Sequence, residues 1–500
     1  MSAGVSGEMS SGPAARFDDG LARARPSAVG VDAGAIVAWL DDVERAGLDV
    51  HAFMLHRHGK VVAEGWRWPY RAGRRRNLHS VAKSFTACAI GFAIEEGRLR
   101  LDDRVADFFP NAPAAPHPGA AMTVADLLTM RTGHAGETSG ALWRQLTTSW
   151  IDAFFAIPVA TPPGSNFVYT SAASYMLSAI ISRVSGQTLH DYLKPRLFAP
   201  LGIHGETWDL GTDGINPGGN GLWARTADLL KLGILHAQHG VWEGRQVLPE
   251  AWIEAATQAQ EASNRYGYHW WVHDGGSYSA IGVFTQLARV FPEAGATLAV
   301  TGAIKGSKRL MPLIEWHFPS AFRAAPFDGA EADARLDAAL ARWQSPDADL
   351  PWRRAFDGTH AERPGEARAS DDWRYRLDPN ESGATELRFV FTAGQCECRL
   401  VDADGEHVVK AGLGDWIEST TSMPGTELHH GYRFTDSPVV ARAGWLDAAT
   451  LRMVWLYPET AFRDTVECRF DGERVTLRRA VNVNSGALEQ PPLSGQRLRA

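Results

Sequence analysis

The chain has 500 residues, of which 45% are hydrophobic and 22% charged, a composition typical of a folded globular protein and unlike disordered or fibrous classes. This length predicts two or three domains. The formal net charge of −8 provides no basic surface for a polyanion, which argues against nucleic acid as a partner.

The N-terminal residues 1–28 are rich in Ser, Gly, Ala and Pro, so we expect a flexible N-terminal segment. They lack the charged and apolar regions of a secretory signal, and no run of about 18 apolar residues follows that could cross a bilayer. We therefore expect a cytoplasmic protein with no membrane partner. The cysteines are too few and too scattered to predict a disulfide framework or a metal site; they are Cys88, Cys396, Cys398 and Cys468.

Residues 29–325 alternate helical with strand-like patterns and predict one large α/β domain. Residues 51–64 predict a hairpin around Gly59. Residues 80–94 predict a helix that is apolar on nearly every face and is therefore buried. Residues 173–184 predict an amphipathic helix that ends before Gly186.

Residues 326–368 are rich in Ala, Arg, Asp, Glu and Pro and predict a connector, with a short helix at 330–343. Residues 369–486 then show period-two strands separated by turn residues, which predicts a separate antiparallel β domain. Residues 487–500 are expected to form a loose tail. The predicted strands are 373–377, 385–391, 397–401, 451–457, 465–470 and 474–479.

A Ser-x-x-Lys tetrad at Ser80 to Lys83 is the first candidate for chemistry. At a helix start, free backbone amides and the helix dipole favour negative charge on a serine oxygen. Lys83 lies one turn further on the same face, and a lysine within an apolar interior is the kind that acts as a base. A helix-capping serine followed by a surface lysine explains the tetrad about equally well.

A Tyr-x-Ser motif at Tyr169 and Ser171 precedes the amphipathic helix, after a Pro-Pro-Gly turn. A tyrosine hydroxyl beside a lysine amine can relay a proton, and Ser171 could pass it to a leaving group. Taken alone, this motif is better explained as an aromatic anchor followed by a capping serine.

Together these motifs resemble the β-lactamase-related serine hydrolases, which include class C β-lactamases, D-alanyl-D-alanine peptidases, esterases of β-lactamase fold and nylon-oligomer hydrolases. The matching segments occur in the family's order across about 29–322, among them 79–110, 122–133 and 167–203. The resemblance implies an α/β (α+β) fold, in which helices flank a central antiparallel sheet, and a C-terminal antiparallel β domain. It also implies acyl transfer without a metal or organic cofactor.

In this family a third motif, Lys or His followed by Thr or Ser and then Gly, lies on a strand beside the serine. The best match here is Ala280-Ile281-Gly282, which keeps the glycine and lacks the cation and the hydroxyl. The resemblance implies that the backbone amides of Ser80 and Val283 form the oxyanion hole. The departure places recognition of a β-lactam or peptidoglycan carboxylate in doubt.

Other residues carry weaker signals. Trp223, Trp270 and Trp271 are candidates for lining a substrate cleft, although tryptophan is more often core. We interpret five histidines as packing or surface residues, namely His51, His56, His58, His429 and His430. The chain contains no Gly-x-Ser-x-Gly, His-Glu-x-x-His or glycine-rich nucleotide motif.

The sequence thus predicts a serine hydrolase that cleaves a small ester or amide through an acyl-enzyme. Ser80 is the predicted nucleophile, Lys83 and Tyr169 take its proton, and Ser171 assists proton delivery. The alternatives are β-lactamase or D-aminopeptidase-type activity, or a non-catalytic binding protein that retains the fold. Ester or amide preference and oligomeric state stay open.

Overall fold

The computed structural model describes residues 17–110, 112, 118–137, 139–260, 264–306, 309–345, 356, 359–362 and 371–498. This part of the chain contains two large β-sheets, and the α-helices all lie in the domain of the first sheet. Within the described residues, no helix combines the length and apolar character that a bilayer span requires.

Ten α-helices occur in the described residues, and the longest are those whose apolar residues recur at helical spacing. They are α1 (Ala33–Arg45), α2 (Ala82–Glu95), α3 (Val124–Leu128), α4 (Trp150–Ala156), α5 (Ser171–Ser185), α6 (Leu189–Leu193), α7 (Thr226–Ala237), α8 (Glu250–Thr257), α9 (Met311–Ala321) and α10 (Ala330–Gln344).

The first sheet has six antiparallel strands in the order β2-β1-β11-β10-β9-β8. Short two- and three-residue strands pair outside it, β3 with β5 and β4, and β6 with β7. The strands are β1 (Val50–Arg57), β2 (Lys60–Trp66), β3 (Arg76–Asn77), β4 (Thr207–Trp208), β5 (Leu222–Ala224), β6 (Val241–Trp242), β7 (Arg245–Gln246), β8 (Trp271–Val272), β9 (Tyr278–Gly282), β10 (Gln286–Phe291) and β11 (Ala296–Gly302).

Helices cover both faces of this sheet because alternate strand residues are apolar on each side. Ala288 and Val290 of β10 pack in one core cluster with α2, α5 and α7. Leu287 and Phe291 point the other way and pack in a second cluster with α1, α9 and α10. The sheet therefore separates an α2 side, where Ser80 lies, from an α9 side.

The second sheet has ten strands in the order β15-β14-β13-β12-β21-β20-β19-β18-β17-β16, and a parallel pairing of β15 with β17 closes it on itself. Its aromatic and aliphatic side chains form a separate core cluster. The strands are β12 (Asp371–Leu377), β13 (Glu386–Thr392), β14 (Gln395–Asp402), β15 (Gly405–Leu413), β16 (Ile417–Thr421), β17 (Ser437–Asp447), β18 (Thr450–Leu456), β19 (Arg463–Asp471), β20 (Arg474–Val481) and β21 (Leu493–Arg497).

This architecture confirms the fold class predicted from the sequence. The β domain also contacts the segment that leads to Ser80. The backbone amide of Asn77 donates to the Glu459 carbonyl at 2.8 Å, and Arg463 pairs with Asp49 at 2.6 Å. Phe284 of the first domain lies in the β domain's core cluster. The boundary between the two domains at 326–368 stays a prediction, since it states that the parts of the chain before and after it fold independently.

Two terminal expectations are wrong for the described residues. The sequence predicts a loose tail over 487–500, but β21 fills the gap between β12 and β20, where the buried Leu493 joins the core; residues 499–500 lie outside the described part. Its polar sequence shows little alternation, so the pairing partners determine the strand. The sequence predicts a flexible segment at 1–28, but the backbone of Arg23 forms a parallel β-bridge with Val61, so the chain is already packed on the first domain at residue 23. Residues 1–16 lie outside the described part.

Two further elements differ in their bounds or packing. The buried helix begins at Ala82, after a single 3₁₀ turn over His79–Val81, so Ser80 lies just before the α-helix. The short helix expected in the connector is α10, and its Leu336 and Trp343 are buried in the core cluster of the first domain. The connector therefore contributes packing to the domain that it leaves.

Candidate active site

Ser80 lies where β3, the 3₁₀ turn and α2 meet, and it is half-buried. His79, the preceding residue, has a φ of +48°, in the left-handed region that non-glycine residues rarely adopt. Its backbone amide donates to the Asn77 side-chain oxygen at 2.9 Å. Such strain persists only where the surroundings enforce it, and it is common at active sites.

Lys83 connects the two sequence motifs. Its Nζ donates to the Ser80 Oγ at 3.1 Å, to the Ser171 Oγ at 3.1 Å and to the Gly219 carbonyl at 2.9 Å. The side chain is buried, and burial lowers its pKa to about 7. Near neutral pH a large share of the amine is therefore unprotonated and can accept a proton from Ser80.

Tyr169 lies beside Lys83. The Lys83 Nζ lies 4.9 Å from the Tyr169 ring centroid, and an interaction with the Ser80 side chain lowers the pKa of Tyr169 and so opposes part of the effect of burial. Burial raises the pKa of Tyr169 well above its usual range, so the phenol stays protonated near neutral pH. Of the two residues, Lys83 is the better base, and Tyr169 is suited to donate or relay a proton.

Ser171 is the first residue of α5 and faces both Lys83 and an acidic side chain. Its backbone amide donates to the Glu137 carboxylate at 2.7 Å, a favourable place for an anion at a helix start. The Glu137 charge also raises the pKa of Lys83 and so opposes part of the effect of burial. The sequence analysis missed Glu137, because no motif marks an acidic loop residue that distant in the chain.

The third-motif strand approaches the serine closely. A Cβ on Gly282 would lie 2.4 Å from the Leu78 carbonyl, so only glycine fits. Ala280 is buried on the α2 side and Ile281 packs on the α9 side. Strand β8 pairs with β9 only as far as Ser279, so residues 280–282 have a free edge within the described chain.

Val283 begins the turn from β9 to β10, and β9 packs against the 3₁₀ turn that contains Ser80. The next two residues, Phe284 and Thr285, have φ values of +61° and +68°. This backbone conformation is costly for a bulky and a β-branched side chain. The close approach brings Val283 to the region of Ser80; its amide as an oxyanion donor stays a prediction.

The β domain forms one wall next to this turn. The Phe284 ring lies 5.5 Å from the His79 ring and 5.4 Å from that of His430. Arg144 donates to the His430 carbonyl at 2.6 Å and to the Tyr432 hydroxyl at 2.9 Å. The β domain therefore fixes the strained turn beside the candidate nucleophile.

The three tryptophans that the sequence predicts to line a substrate cleft lie in three different places. Trp271 stacks on the Tyr169 ring, with centroids 5.6 Å apart, and so belongs to the site. Trp223 donates to Asp209 at 2.9 Å and lies at the junction with the β domain. Trp270 is 0% exposed, so its assignment to the cleft is wrong. Trp270 comes directly before β8, which begins at Trp271, and neighbouring residues of an extended chain face opposite ways, so the Trp-Trp pair in the sequence does not show which ring faces the site.

A glycine-rich segment that the sequence analysis did not assign to the site contacts Lys83. Gly219 supplies the carbonyl that accepts from Nζ, and a Cβ there would lie 3.1 Å from the amine. Gly218 accepts from the Thr86 hydroxyl at 2.7 Å. The signal was the run Asn-Pro-Gly-Gly-Asn-Gly at 216–221, which indicates a close backbone approach.

Metal ligands do not gather at this site among the described residues. The one such group that they form is His239 with Glu250 and Glu254, exposed between α7 and α8. A half-buried serine hydroxyl beside a buried lysine whose pKa is lowered to about 7 is an arrangement that can activate a serine nucleophile.

The comparisons with known proteins agree with this class of site. The β-lactamase family profile matches residues 40–311, more than half of the chain. The chain therefore belongs to the β-lactamase family, a family of hydrolases that includes amide and ester hydrolases.

Individual relatives are distant. The chain is 28% identical to penicillin-binding protein 4 of Amycolatopsis lactamdurans, covering 44% of this chain and 70% of that protein. It is 24% identical to the 6-aminohexanoate-dimer hydrolase of Paenarthrobacter ureafaciens, covering 49% and 71%. The structure of a candidate 6-aminohexanoate-dimer hydrolase from Bacillus anthracis superposes with a TM-score of 0.50 at 19% identity, covering 65% and 89%, which establishes the shared fold.

Proposed function

We propose that this protein is a serine hydrolase that cleaves small esters or amides through an acyl-enzyme on Ser80. The observation that carries the proposal is the position of Lys83. Its buried amine, with a pKa lowered to about 7, donates to both the Ser80 and the Ser171 hydroxyl. A lysine that served only structure would gain more from a carboxylate partner than from two hydroxyls and a carbonyl.

The proposed reaction has two halves. Ser80 Oγ attacks the substrate carbonyl carbon while Lys83 takes the hydroxyl proton, and the backbone amides of Ser80 and Val283 stabilise the oxyanion. The leaving alcohol or amine receives a proton through Tyr169 and Ser171. Water, deprotonated by the same lysine, then attacks the acyl carbon, releases the acid and restores the Ser80 hydroxyl.

A preference for uncharged substrates follows from the third-motif strand. Ala280 and Ile281 offer only apolar surface, and a carboxylate there would lose hydration without gaining a partner. The nearby cations Arg289 and Arg265 do not replace the missing one. Arg289 faces the α9 side of the sheet near Glu315, and Arg265 pairs with Asp274.

The nucleophile is tested by intact mass after incubation with a fluorophosphonate and with a p-nitrophenyl ester. We expect a single adduct on the wild-type protein and none on Ser80→Ala, with Ser84→Ala as the matched control that keeps the adduct. An adduct of the same yield on Ser80→Ala would exclude the assignment. A wild-type protein that takes up neither reagent would favour a non-catalytic binding protein.

The substrate class is tested on one preparation with two chromogenic substrates. We expect kcat/KM for a p-nitrophenyl short-chain ester to exceed that for a chromogenic cephalosporin by at least about tenfold, the penalty of one unpaired charge. Faster turnover of the cephalosporin would refute the argument from Ala280 and Ile281.

A further inference from the structure

A cavity of about 730 Å³, separate from the candidate active site, lies on the α9 side of the six-stranded sheet. Its walls come from the loop between β8 and β9, from β10, from α9 and from the segment after α9. The volume is in the range of small-molecule sites. The candidate active site lies on the α2 side, so the sheet separates the two.

Arg289 of β10 lies at the wall of this cavity and is 2% exposed. Its guanidinium donates to the Ser277 hydroxyl at 2.9 Å and to the Ser279 hydroxyl at 3.4 Å, while its buried Nε has no hydrogen-bond partner. The nearest carboxylate oxygen, on Glu315, is 3.6 Å away on a half-exposed side chain. This buried charge is therefore incompletely neutralised.

A second buried arginine lines the same cavity. Arg57 is 5% exposed and donates to the backbone carbonyls of Gly30, Val29 and Ala294. Carbonyl oxygens satisfy its hydrogen bonds but carry no net negative charge. Burial lowers the pKa of both Arg57 and Arg289, which indicates that both charges lack full compensation.

The other charges around the cavity lie at its rim or are already paired. Arg265 pairs with Asp274, and Arg323 pairs with Asp32 outside the cavity. His273 is hydrogen-bonded to Ser279 at 3.0 Å, and burial lowers its pKa to about 4, so it is neutral at pH 7. Glu293 is exposed. The interior of the cavity is therefore positive.

Apolar surface completes the wall. Val272, Phe291 and Phe322 line the cavity, and the two phenylalanine rings lie 5.6 Å apart. The site thus combines buried guanidinium charge with an apolar surface of aromatic and aliphatic side chains. A free inorganic ion would leave that surface wet, whereas an anion with an apolar body would cover it.

We propose that this cavity is a binding site for a small organic carboxylate, with the carboxylate on Arg289 and the apolar body against Phe291 and Phe322. A carboxylate suits the planar guanidinium because both present two atoms in one plane. Glu315 competes for the same cation in the free protein. The inference is independent of the activity proposed for Ser80.

The test is titration calorimetry of the full-length protein with benzoate at low salt, beside its neutral isostere benzamide. We expect binding of benzoate, at least tenfold weaker binding of benzamide, and weakening of benzoate with added salt. Arg289→Met, which keeps the side-chain volume, should weaken benzoate at least tenfold, whereas the rim control Arg265→Gln should stay within twofold. Unchanged affinity in Arg289→Met would place benzoate elsewhere, including at Ser80, and overturn the proposal.

Glu315→Gln provides a test that survives if Arg289→Met fails to fold. Glu315 is half-exposed on α9, so its amide should be tolerated. Removing the Glu315 carboxylate should tighten benzoate binding about threefold or more, because benzoate then no longer competes with it for the Arg289 guanidinium. Unchanged or weaker binding in Glu315→Gln contradicts the proposal, as does failure of the wild-type protein to bind benzoate.

Discussion

Replacing Lys83 with methionine should stabilise the protein while lowering its kcat/KM at least about 10²-fold. Burial lowers the pKa of Lys83 from 10.5 to about 7, which at about 1.4 kcal/mol per unit is a penalty of about 5 kcal/mol at pH 7 and below. Methionine removes the charge at similar volume. It leaves the Gly219 carbonyl and two hydroxyls without their amine donor, at a cost of about 1–3 kcal/mol. The net gain at pH 6 is therefore about 2–4 kcal/mol.

The sign of the pH dependence follows from proton binding. Between pH 7 and 10.5 the unfolded chain holds the lysine proton and the folded protein does not, so wild-type stability rises with pH. The advantage of Lys83→Met is therefore full below pH 7 and shrinks by about 1.4 kcal/mol per unit above it. At pH 9 about 3 kcal/mol of it is gone, which leaves a net effect of methionine on stability between about −1 and +1 kcal/mol.

The assay is the difference in unfolding temperature between wild type and Lys83→Met, measured in parallel from pH 6 to 9. Lys60→Met, at the exposed first residue of β2, controls for the loss of a lysine charge. We expect the Lys83 difference to fall with pH and the Lys60 difference to stay constant. A Lys83 difference that does not change with pH would refute the depressed pKa and, with it, the lysine's assignment as a neutral base.

Three further results are expected. The kcat/KM of the wild type should rise with pH through a midpoint near 7, as Lys83 loses its proton. Glu137→Gln should lower that midpoint, by less than about one pH unit because the Glu137 carboxylate is exposed and screened by solvent. A midpoint that rises or does not move in Glu137→Gln would contradict this role for Glu137. Lys83→Met and Tyr169→Phe should each cost at least about 10² in kcat/KM, and the double variant should cost little more than the worse single one; additive losses would indicate separate roles. Gly282→Ala should reduce kcat/KM at least about tenfold, because its Cβ would lie 2.4 Å from a backbone carbonyl and would move the strand away from the nucleophile. The control Gly486→Ala, whose Cβ would meet only an ordinary contact at 3.6 Å, should leave kcat/KM unchanged.

Local sequence was sufficient wherever one short pattern carried the information. The tetrad at Ser80 predicted a serine and a lysine one helical turn apart, and the structure has their polar atoms 3.1 Å apart. The hairpin around Gly59 and the helix α5 followed from apolar periodicity. These features depend on neighbours within a few residues, so the chain's local order specifies them.

Tertiary structure decided what depends on residues distant in the chain. Glu137 meets Ser171 across 34 positions and Gly219 meets Lys83 across 136. The glycine run at 216–221 indicates a close backbone approach, but no pattern in the sequence identifies Lys83 as its partner or marks Glu137. Which of two adjacent tryptophans faces Tyr169 depends on strand register, and the β21 strand forms only because β12 and β20 offer it open edges. The sequence alone therefore determined the chemical groups and their local spacing. Only packing determined the burial that lowers the pKa of Lys83, since desolvation is a property of the whole surrounding fold.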